Sequence, residues 1–394
     1  MDRRIKLCVV SPMYHPSLGG LGRQAQLLTE RLFHDGLKVF VIARRMKGVP
    51  QAVFNPGIKV YRAWSIKPYL HNFEEVKLVN VLISLTFSMS CAILLFWKRK
   101  DYDIVHFHGA SLPLFLNLLI LKILGKKVIA KVAAARIGTE AGALRGRYFG
   151  LSRLILIFLK KVDAFIATTA EIEDGLRHDG FDGKKIKRIP NFIDFNIFSP
   201  VPESKKTLMK NNMRFENIRV VTFSGRFVRR KGIKILLEAW KTVMDKFTDA
   251  QLILLGDGPL LPEMKRTTED LGMNSLVNFR GHVHSVTDFL HITDIFVLPS
   301  LQEGMPNSLL EAMACGLPVI ASRIGGVVDV IEDGKNGILF EPGDVSGLAY
   351  AMIRLLNDNE LRKTLGVEAR KRIEEGFSID RISGEYIGLY REII

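Results

Sequence analysis

Short β-branched runs recur along this chain, and each is released by a turn into a stretch with helical spacing. IKLCVVS opens the series, GGLGRQAQLLTERLFHDG follows as a glycine loop running into an amphipathic helix, and KVFVIARR and IKVYRAW return to strand. After an apolar helix come DIVHFHG, KKVIAKVA, DAFIATT and IKRIPN, with helical segments among them. This is the rhythm of a parallel sheet covered by helices on both faces. Around residues 195–217 it lapses into FNIFSPVPESKKTLMKNNMRFEN, a polar stretch that reads as a linker. A second series then begins with IRVVTFSG, AQLILLGDG, LVNFRGHV, DIFVLPS, LPVIAS and GILFEPG, and ends in charged amphipathic helices over 346–356 and 358–394. The expected fold class is α/β, with one Rossmann-like doubly wound domain over 1–197, a linker over 198–217 and a second such domain over 218–375. The two would face each other across a cleft.

A length of 394 residues suits two domains. The three cysteines, Cys8, Cys91 and Cys315, are widely spaced, which excludes a disulfide scaffold, offers no paired metal ligands and fits a reducing compartment. The net charge of +15 is unevenly placed: residues 1–200 hold 31 Lys/Arg against 15 Asp/Glu, and the remainder hold 25 against 26. Basic charge attracts nucleic acid, an anionic bilayer or a phosphorylated ligand. No zinc-finger spacing or RNA-binding aromatic motif supports the first of these, so no nucleic-acid partner is expected. MDRRIKLCVVSPMY enters a strand pattern directly and makes a poor signal peptide. The segment 78–97, LVNVLISLTFSMSCAILLFW followed by KRK, nearly has the length of a membrane span. Its Asn80, Ser84, Thr86, Ser88 and Ser90, and the strand that follows at once, favour a buried or peripheral helix. Further apolar helices are expected at 112–124 and 151–159, each ending in lysines of the kind an anionic membrane surface would hold.

Several stretches carry chemistry-bearing residues. Gly19, Gly20 and Gly22 lie between the first strand and the first helix, where backbone can approach an anion or simply turn tightly. FSGRFVRRKG places Arg226 just past a strand and Lys231 before a helix; two cations converging there would neutralise a diphosphate, the bland alternative being a solvated loop, as expected of Arg229 and Arg230. In LQEGMPNSLLEAMACGLP, Glu303 and Glu311 bracket Gly304, Met305, Pro306, Asn307 and Ser308. Asn307 or Ser308 can cap the helix, leaving N–H groups near Ser308 and Leu309 for an anion. Glu311 could accept both hydroxyls of a ribose or merely serve helix-terminus electrostatics, and Glu303 could receive hydroxyls of a second polar group. Diphosphate at the amides with a diol on either side describes a nucleotide sugar. His106 and His108 share one face of DIVHFHG: His106 reads as a core histidine and His108, beside Gly109, as the pocket candidate.

Together these residues resemble the retaining glycosyltransferases of family 4, which have the two-domain GT-B fold. The resemblance covers nearly the whole chain. It rests above all on Glu303 and Glu311 in EGMPNSLLE, supported by PSLGGLGRQ, VHFHG, IPNFID, GRFVRRKG, LLGDGP and FRGHV. It implies that Gly20 backbone meets the donor diphosphate, that Arg226 and Lys231 hold the phosphates with Ser308 and Leu309 amides assisting, that Glu311 binds ribose, and that Glu303 binds the transferred sugar. His282 and Val283 would lie beside the base and His108 by the sugar and acceptor. His108, Arg226, Lys231 and Glu303 are thus the catalytic expectations. The last helix, 376–394, is expected to return to the first domain. Phe192 stands where the family often has glycine, and 131–142, KVAAARIGTEAG, is less stereotyped and would face acceptor.

The implied reaction moves a sugar from a nucleoside-diphosphate sugar to a saccharide with retention at the anomeric carbon, without a metal or other cofactor. UDP is favoured over GDP by the family's frequency alone. The basic, greasy first domain points to a peripheral enzyme on the cytoplasmic face of an anionic membrane, acting on a lipid-linked or phosphorylated acceptor in polysaccharide or glycolipid synthesis. A nucleotide-sugar epimerase of the same fold and a catalytically silent nucleotide-sugar-binding scaffold are the alternatives.

Overall fold

A computed structural model describes residues 5–15, 19–46, 53–54, 57–66, 78–132 and 156–394. The chain forms two compact units, Met1–Asn191 with Ile379–Ile394, and Phe192–Ser378. Expectations for 1–4, for 16–18 of the first glycine loop, for 133–142 and for 151–155 lie outside the described residues.

Unit 1 contains β1 (Lys6–Val10), β2 (Lys38–Arg44), β3 (Val53–Phe54), β4 (Ile58–Ala63), β5 (Ile104–His108), β6 (Lys127–Val132), β7 (Ala164–Ala167) and β8 (Ile186–Arg188). They form one sheet in the order β3-β4-β2-β1-β5-β6-β7-β8, parallel except for the β3–β4 pair. That pair is a short hairpin the sequence pattern does not announce. On one sheet face Cys8, Val10, Val105, Phe107, Val128 and Ala130 join the core under helices α2 (Leu78–Trp97) and α3 (Leu112–Ile123). The opposite face lies toward α1 (Gly20–His34) and the C-terminal helix Ile379–Ile393, which are joined by the Arg31–Asp380 ion pair.

Helix α2 is long and apolar enough to cross a membrane by length and composition. Its fourfold spacing decides otherwise for one face: Ile83, Phe87, Cys91 and Leu95 are fully buried in the core of unit 1. The hydroxyls that argue against a span are used locally. Ser88 Oγ donates to Ser84 O at 2.6 Å and Thr86 Oγ1 to Leu82 O at 2.8 Å, while Ser90 Oγ accepts the Trp64 N–H at 2.9 Å.

Unit 2 contains β9 (Arg219–Ser224), β10 (Ala250–Leu255), β11 (Val277–Gly281), β12 (Ile295–Leu298), β13 (Val319–Ser322) and β14 (Ile338–Phe340). They are parallel throughout, in the order β11-β10-β9-β12-β13-β14. The expected linker is not an open connector. Its residues Glu203–Asn212 are helical, because Lys206 and Lys210 anchor this polar helix to Asp294 at 2.7 and 2.6 Å. Burial raises the Asp294 pKa, but the two ammonium groups outweigh it and hold the carboxyl below its usual range.

The expected helical stretch 358–394 is two helices, Asn359–Gly376 and Ile379–Ile393. The first of these helices ends at Phe377, whose carbonyl accepts the Ile193 N–H at 2.8 Å, and Ile193 also bridges Ser378. Phe192, at the same crossing, is fully buried, so its bulk is absorbed in the core.

Candidate active site

The strand order of unit 2 reverses at β9, which has β10 on one side and β12 on the other. Loops leaving the carboxyl ends of strands on either side of such a reversal diverge and leave a crevice where ligands bind. Three loops meet there. The Leu301 N–H donates to Arg230 O at 2.7 Å, tying the loop after β12 to the loop after β9. The Phe227 N–H donates to Asp257 O at 2.9 Å, tying the latter to the loop after β10. Gly232 turns into helix Ile233–Met244 with φ 65°, and a Cβ there would run into the Pro299 carbonyl oxygen.

This arrangement brings together residues 72 apart in sequence. Lys231 Nζ pairs with Glu303 Oε1, which also accepts from Ser300 Oγ at 2.7 Å. Arg230 Nη1 lies 3.5 Å from Oε2. Glu303 and Lys231 are 8% and 9% exposed, so the carboxylate is fixed in a low-dielectric setting by an ammonium, a hydroxyl and a guanidinium. Arg230, expected to be merely solvated, is half-exposed and belongs to this cluster. Arg226 is half-buried on the same loop.

Glu311 lies on the helix Asn307–Ala314, whose N-cap is Pro306. Pro306 occupies the capping position and offers no side-chain hydrogen bond, which corrects the expectation that Asn307 or Ser308 stands there. The Leu309 and Leu310 N–H groups both donate to Pro306 O, at 3.2 and 3.3 Å. Leu309's amide is therefore already engaged by a tightened first turn, and its side chain is fully buried in the core. Ser308 is half-buried at the helix start, as is Asn307. Gly304 is half-buried, whereas Met305 and Pro306 are buried under the loop. His282 is exposed and Val283 half-buried just past the end of edge strand β11, beyond β10.

In unit 1, Gly20 is the first residue of α1. Two residues on, a Cβ at Gly22 would sit 2.6 Å from the Met13 carbonyl oxygen, so the strand-to-helix turn is closed by direct backbone approach. His106 and His108 do share a sheet face, with ring centroids 4.5 Å apart, and both are buried. His106 Nδ1 is hydrogen-bonded to the Tyr390 hydroxyl at 2.8 Å, as a core histidine should be, while His108 has no hydrogen-bond partner at either nitrogen among the described residues. Beside them lies a residue the sequence reading passed over. Lys131 pairs with His108 in the β5–β6 register, is 1% exposed, has no hydrogen-bond partner at Nζ among the described residues, and stands 5.8 Å from the Tyr386 ring. Burial pushes the Lys131 amine down to about 7. Burial, then the nearby Lys131, pulls His106 down to about 3, and burial with both neighbours depresses His108 too. Burial thus favours the neutral imidazole at His108. The signal for Lys131 was available: an interior strand of a parallel sheet buries both faces, so a lysine in its middle needs explaining.

Comparison with known proteins agrees with this architecture. Residues 18–196 match the family model described as Glycosyltransferase Family 4, and residues 218–358 match Glycosyl transferases group 1. N-acetyl-alpha-D-glucosaminyl L-malate synthase of Bacillus anthracis is 26% identical over 386 residues, covering 96% of each chain. The lipopolysaccharide core biosynthesis glycosyltransferase LpsE of Rhizobium meliloti (strain 1021) is 30% identical over 72% of this chain and 82% of its own. The UDP-Gal:alpha-D-GlcNAc-diphosphoundecaprenol alpha-1,3-galactosyltransferase of Escherichia coli is 27% identical over 83% and 84%. Among solved structures, Anabaena Alr3699/HepE in complex with UDP and glucose superposes with a TM-score of 0.78 at 19% identity, over 98% of this chain and 99% of that one. With its two parallel sheets and these matches, the chain belongs to the group 1, or family 4, glycosyltransferases and has their GT-B fold.

Proposed function

We propose that this glycosyltransferase is a retaining enzyme that takes its sugar from a nucleoside-diphosphate sugar. The observation that carries the reading is the buried Glu303 carboxylate, held by Lys231, Ser300 and Arg230 at the strand reversal of unit 2. A carboxylate so fixed is a preorganised acceptor for sugar hydroxyls, and the cations beside it oppose the charge that develops on a departing diphosphate. In this reading Arg226 and Lys231 take the phosphates, the Ser308 amide assists them, and Glu311 accepts from ribose. His282 and Val283 flank the base. Within unit 1, Gly20 backbone and His108, the latter as a neutral hydrogen-bonding group, are the residues proposed to act on substrate. No side chain is assigned as a nucleophile. The acceptor approaches the face the leaving phosphate vacates, and that phosphate takes its proton.

UDP is favoured over GDP because similarly folded Anabaena structures hold UDP or UDP-glucose. A lipid-linked or phosphorylated saccharide is favoured as acceptor, in cell-surface polysaccharide or glycolipid synthesis. The diphosphoundecaprenol substrate named for the Escherichia coli relative and the lipopolysaccharide role named for LpsE support this choice. Three free, buried cysteines suit a reducing cytoplasm, and peripheral membrane attachment suits such an acceptor.

The test is nuclear magnetic resonance of the purified protein with a panel of nucleotide sugars and membrane lipid extract. Donor loss that requires extract, with a new glycosidic signal of the donor's anomeric configuration, is expected. Inverted product would refute retention, and epimerised donor without extract would refute transfer.

A further inference from the structure

The core of unit 1 leaves a second apolar surface on its outside. On α2 the residues offset from the buried stripe, Met89, Ile93 and Trp97, are 66%, 54% and 74% exposed. On α3, packed beside it, Leu119 and Ile123 are 50% and 76% exposed. The surface continues past both helices. Trp64, 52% exposed, is fastened along α2 through Ser90, and Ile157, 59% exposed, precedes Phe158, whose ring meets Phe115 of α3 at 6.0 Å. Of the 19 large hydrophobic residues exposed among those described, 12 lie on α2, α3, the 64–66 segment and Ile157. Scattered exposed hydrophobics are ordinary, but such concentration on adjoining elements marks an interaction surface.

Charge identifies the occupant. Both α2 and α3, and the helical residues 156–159, give way at their carboxyl ends to basic residues: Lys98, Arg99 and Lys100; Lys126 and Lys127; Lys160 and Lys161. In a parallel sheet the crossover helices run the same way, so these ends collect at one margin of the apolar surface. Asp101 and Asp163 answer Lys98 and Lys122 there, while Arg99, Lys100, Lys160 and Lys161 form no ion pair with a carboxylate among the described residues. Trp97 stands at the junction of apolar and basic zones, where an indole suits the boundary between hydrocarbon and headgroups.

We infer that the α2–α3 face of unit 1 docks on an anionic lipid bilayer, with the exposed apolar side chains seated at the headgroup boundary and the basic margin against lipid phosphates. The inference specifies where the membrane attachment proposed above is made. It also explains how α2 can be both span-like in composition and buried along Ile83, Phe87, Cys91 and Leu95: each face has its own apolar environment.

Flotation with vesicles tests this in the absence of donor and acceptor, so its outcome is independent of whether sugar transfer is observed. The full chain is expected to float with vesicles of phosphatidylglycerol and phosphatidylethanolamine, and not with phosphatidylcholine alone. Arg99→Gln, Lys100→Gln, Lys160→Gln and Lys161→Gln combined should weaken the partition about 600-fold, at about fivefold per basic residue removed. Ile93→Ser with Leu119→Ser should also release the protein, while Val328→Ser with Val367→Ser, exposed apolar residues of unit 2, should not. Melting temperatures near wild type for every variant establish that folding is retained. Undiminished flotation of the α2–α3 variants, equal binding to phosphatidylcholine, or retention on membranes after alkaline carbonate would each overturn peripheral docking at this face. So would a concentration-dependent dimer removed by the Ile93/Leu119 pair in a protein that never floats.

Discussion

Lys131 shows how one residue can set the pH response of a domain. Burying an ammonium is costly, so its folded-state pKa falls from 10.5 to about 7. Between pH 7 and 10.5 the unfolded chain holds the proton that the folded chain has released, so stability rises with pH through that window. Below about 7 the penalty is present in full. Lys131→Met, similar in volume, removes it and is expected to raise the melting temperature most below pH 7, with the gain shrinking toward pH 10. Thermal scans of both proteins from pH 6 to 10 check this; a gain that does not vary with pH would assign the effect to packing. His106 and His108 act in the acid range. Their depressed pKa values favour the unfolded state as pH falls below 6.5, less strongly in the variant, where the Lys131 charge that adds to burial is gone. Lys231 and Glu303 are the opposite case, two charges that satisfy each other. Lys231→Ala should cost about 3 kcal/mol by leaving a buried carboxylate short of its main partner. Lys231→Met combined with Glu303→Gln should restore most of that stability, while transfer stays depressed by about a hundredfold or more. Denaturation and initial-rate assays on the same samples separate the two roles, and a double variant that regained activity would make the pair purely structural.

At the scale of elements, the loop after β9 and helix Ile233–Met244 depend on Gly232. Its φ of 65° disfavours any other residue, and the Pro299 carbonyl occupies the space a side chain would need. Gly232→Ala should therefore cost about 2 kcal/mol or more, and should displace Lys231 and the loop carrying Glu303 together. Reduced affinity for UDP by titration calorimetry, beyond any loss in melting temperature, is the expected signature. Elements of this kind were unevenly legible. The parallel strands stood out because two-sided burial leaves long apolar runs such as VVTFS and LILL. The Glu203–Asn212 helix did not, because it buries none of its own residues and is held by lysines to Asp294, whose position only the tertiary fold defines. The same reason hid Arg230 and Ser300 from the site. Glu303 and Glu311 were visible as a spacing, whereas the partners of Glu303 depend on β9 lying beside β12. The break at Phe377 was hidden in like manner, since Ile193, which meets it, is far away in sequence.

For the whole molecule the decisive fact is that one unit is continuous in sequence and the other is not. Residues 192–378 carry a complete parallel sheet and a core centred on buried residues such as Trp240 and Leu309. They are expected to fold alone, with a single cooperative melt. Residues 1–191 lack the C-terminal helix, in which Ile382, Tyr386 and Tyr390 are fully buried and Leu389 nearly so. Burying four such side chains is worth roughly 8 kcal/mol, comparable with the entire net stability of an ordinary domain, about 5–15 kcal/mol. The loss would also strip His106 of its Tyr390 hydroxyl and open the Lys131 cluster to water. Residues 1–191 alone should therefore show no cooperative unfolding transition, and adding the peptide 379–394 in excess should restore one, as circular dichroism melts would record. If 1–191 melted cooperatively without the peptide, the helix would be an accessory to unit 1, and the burial of Tyr386 and Tyr390 would have to be worth far less than their area implies.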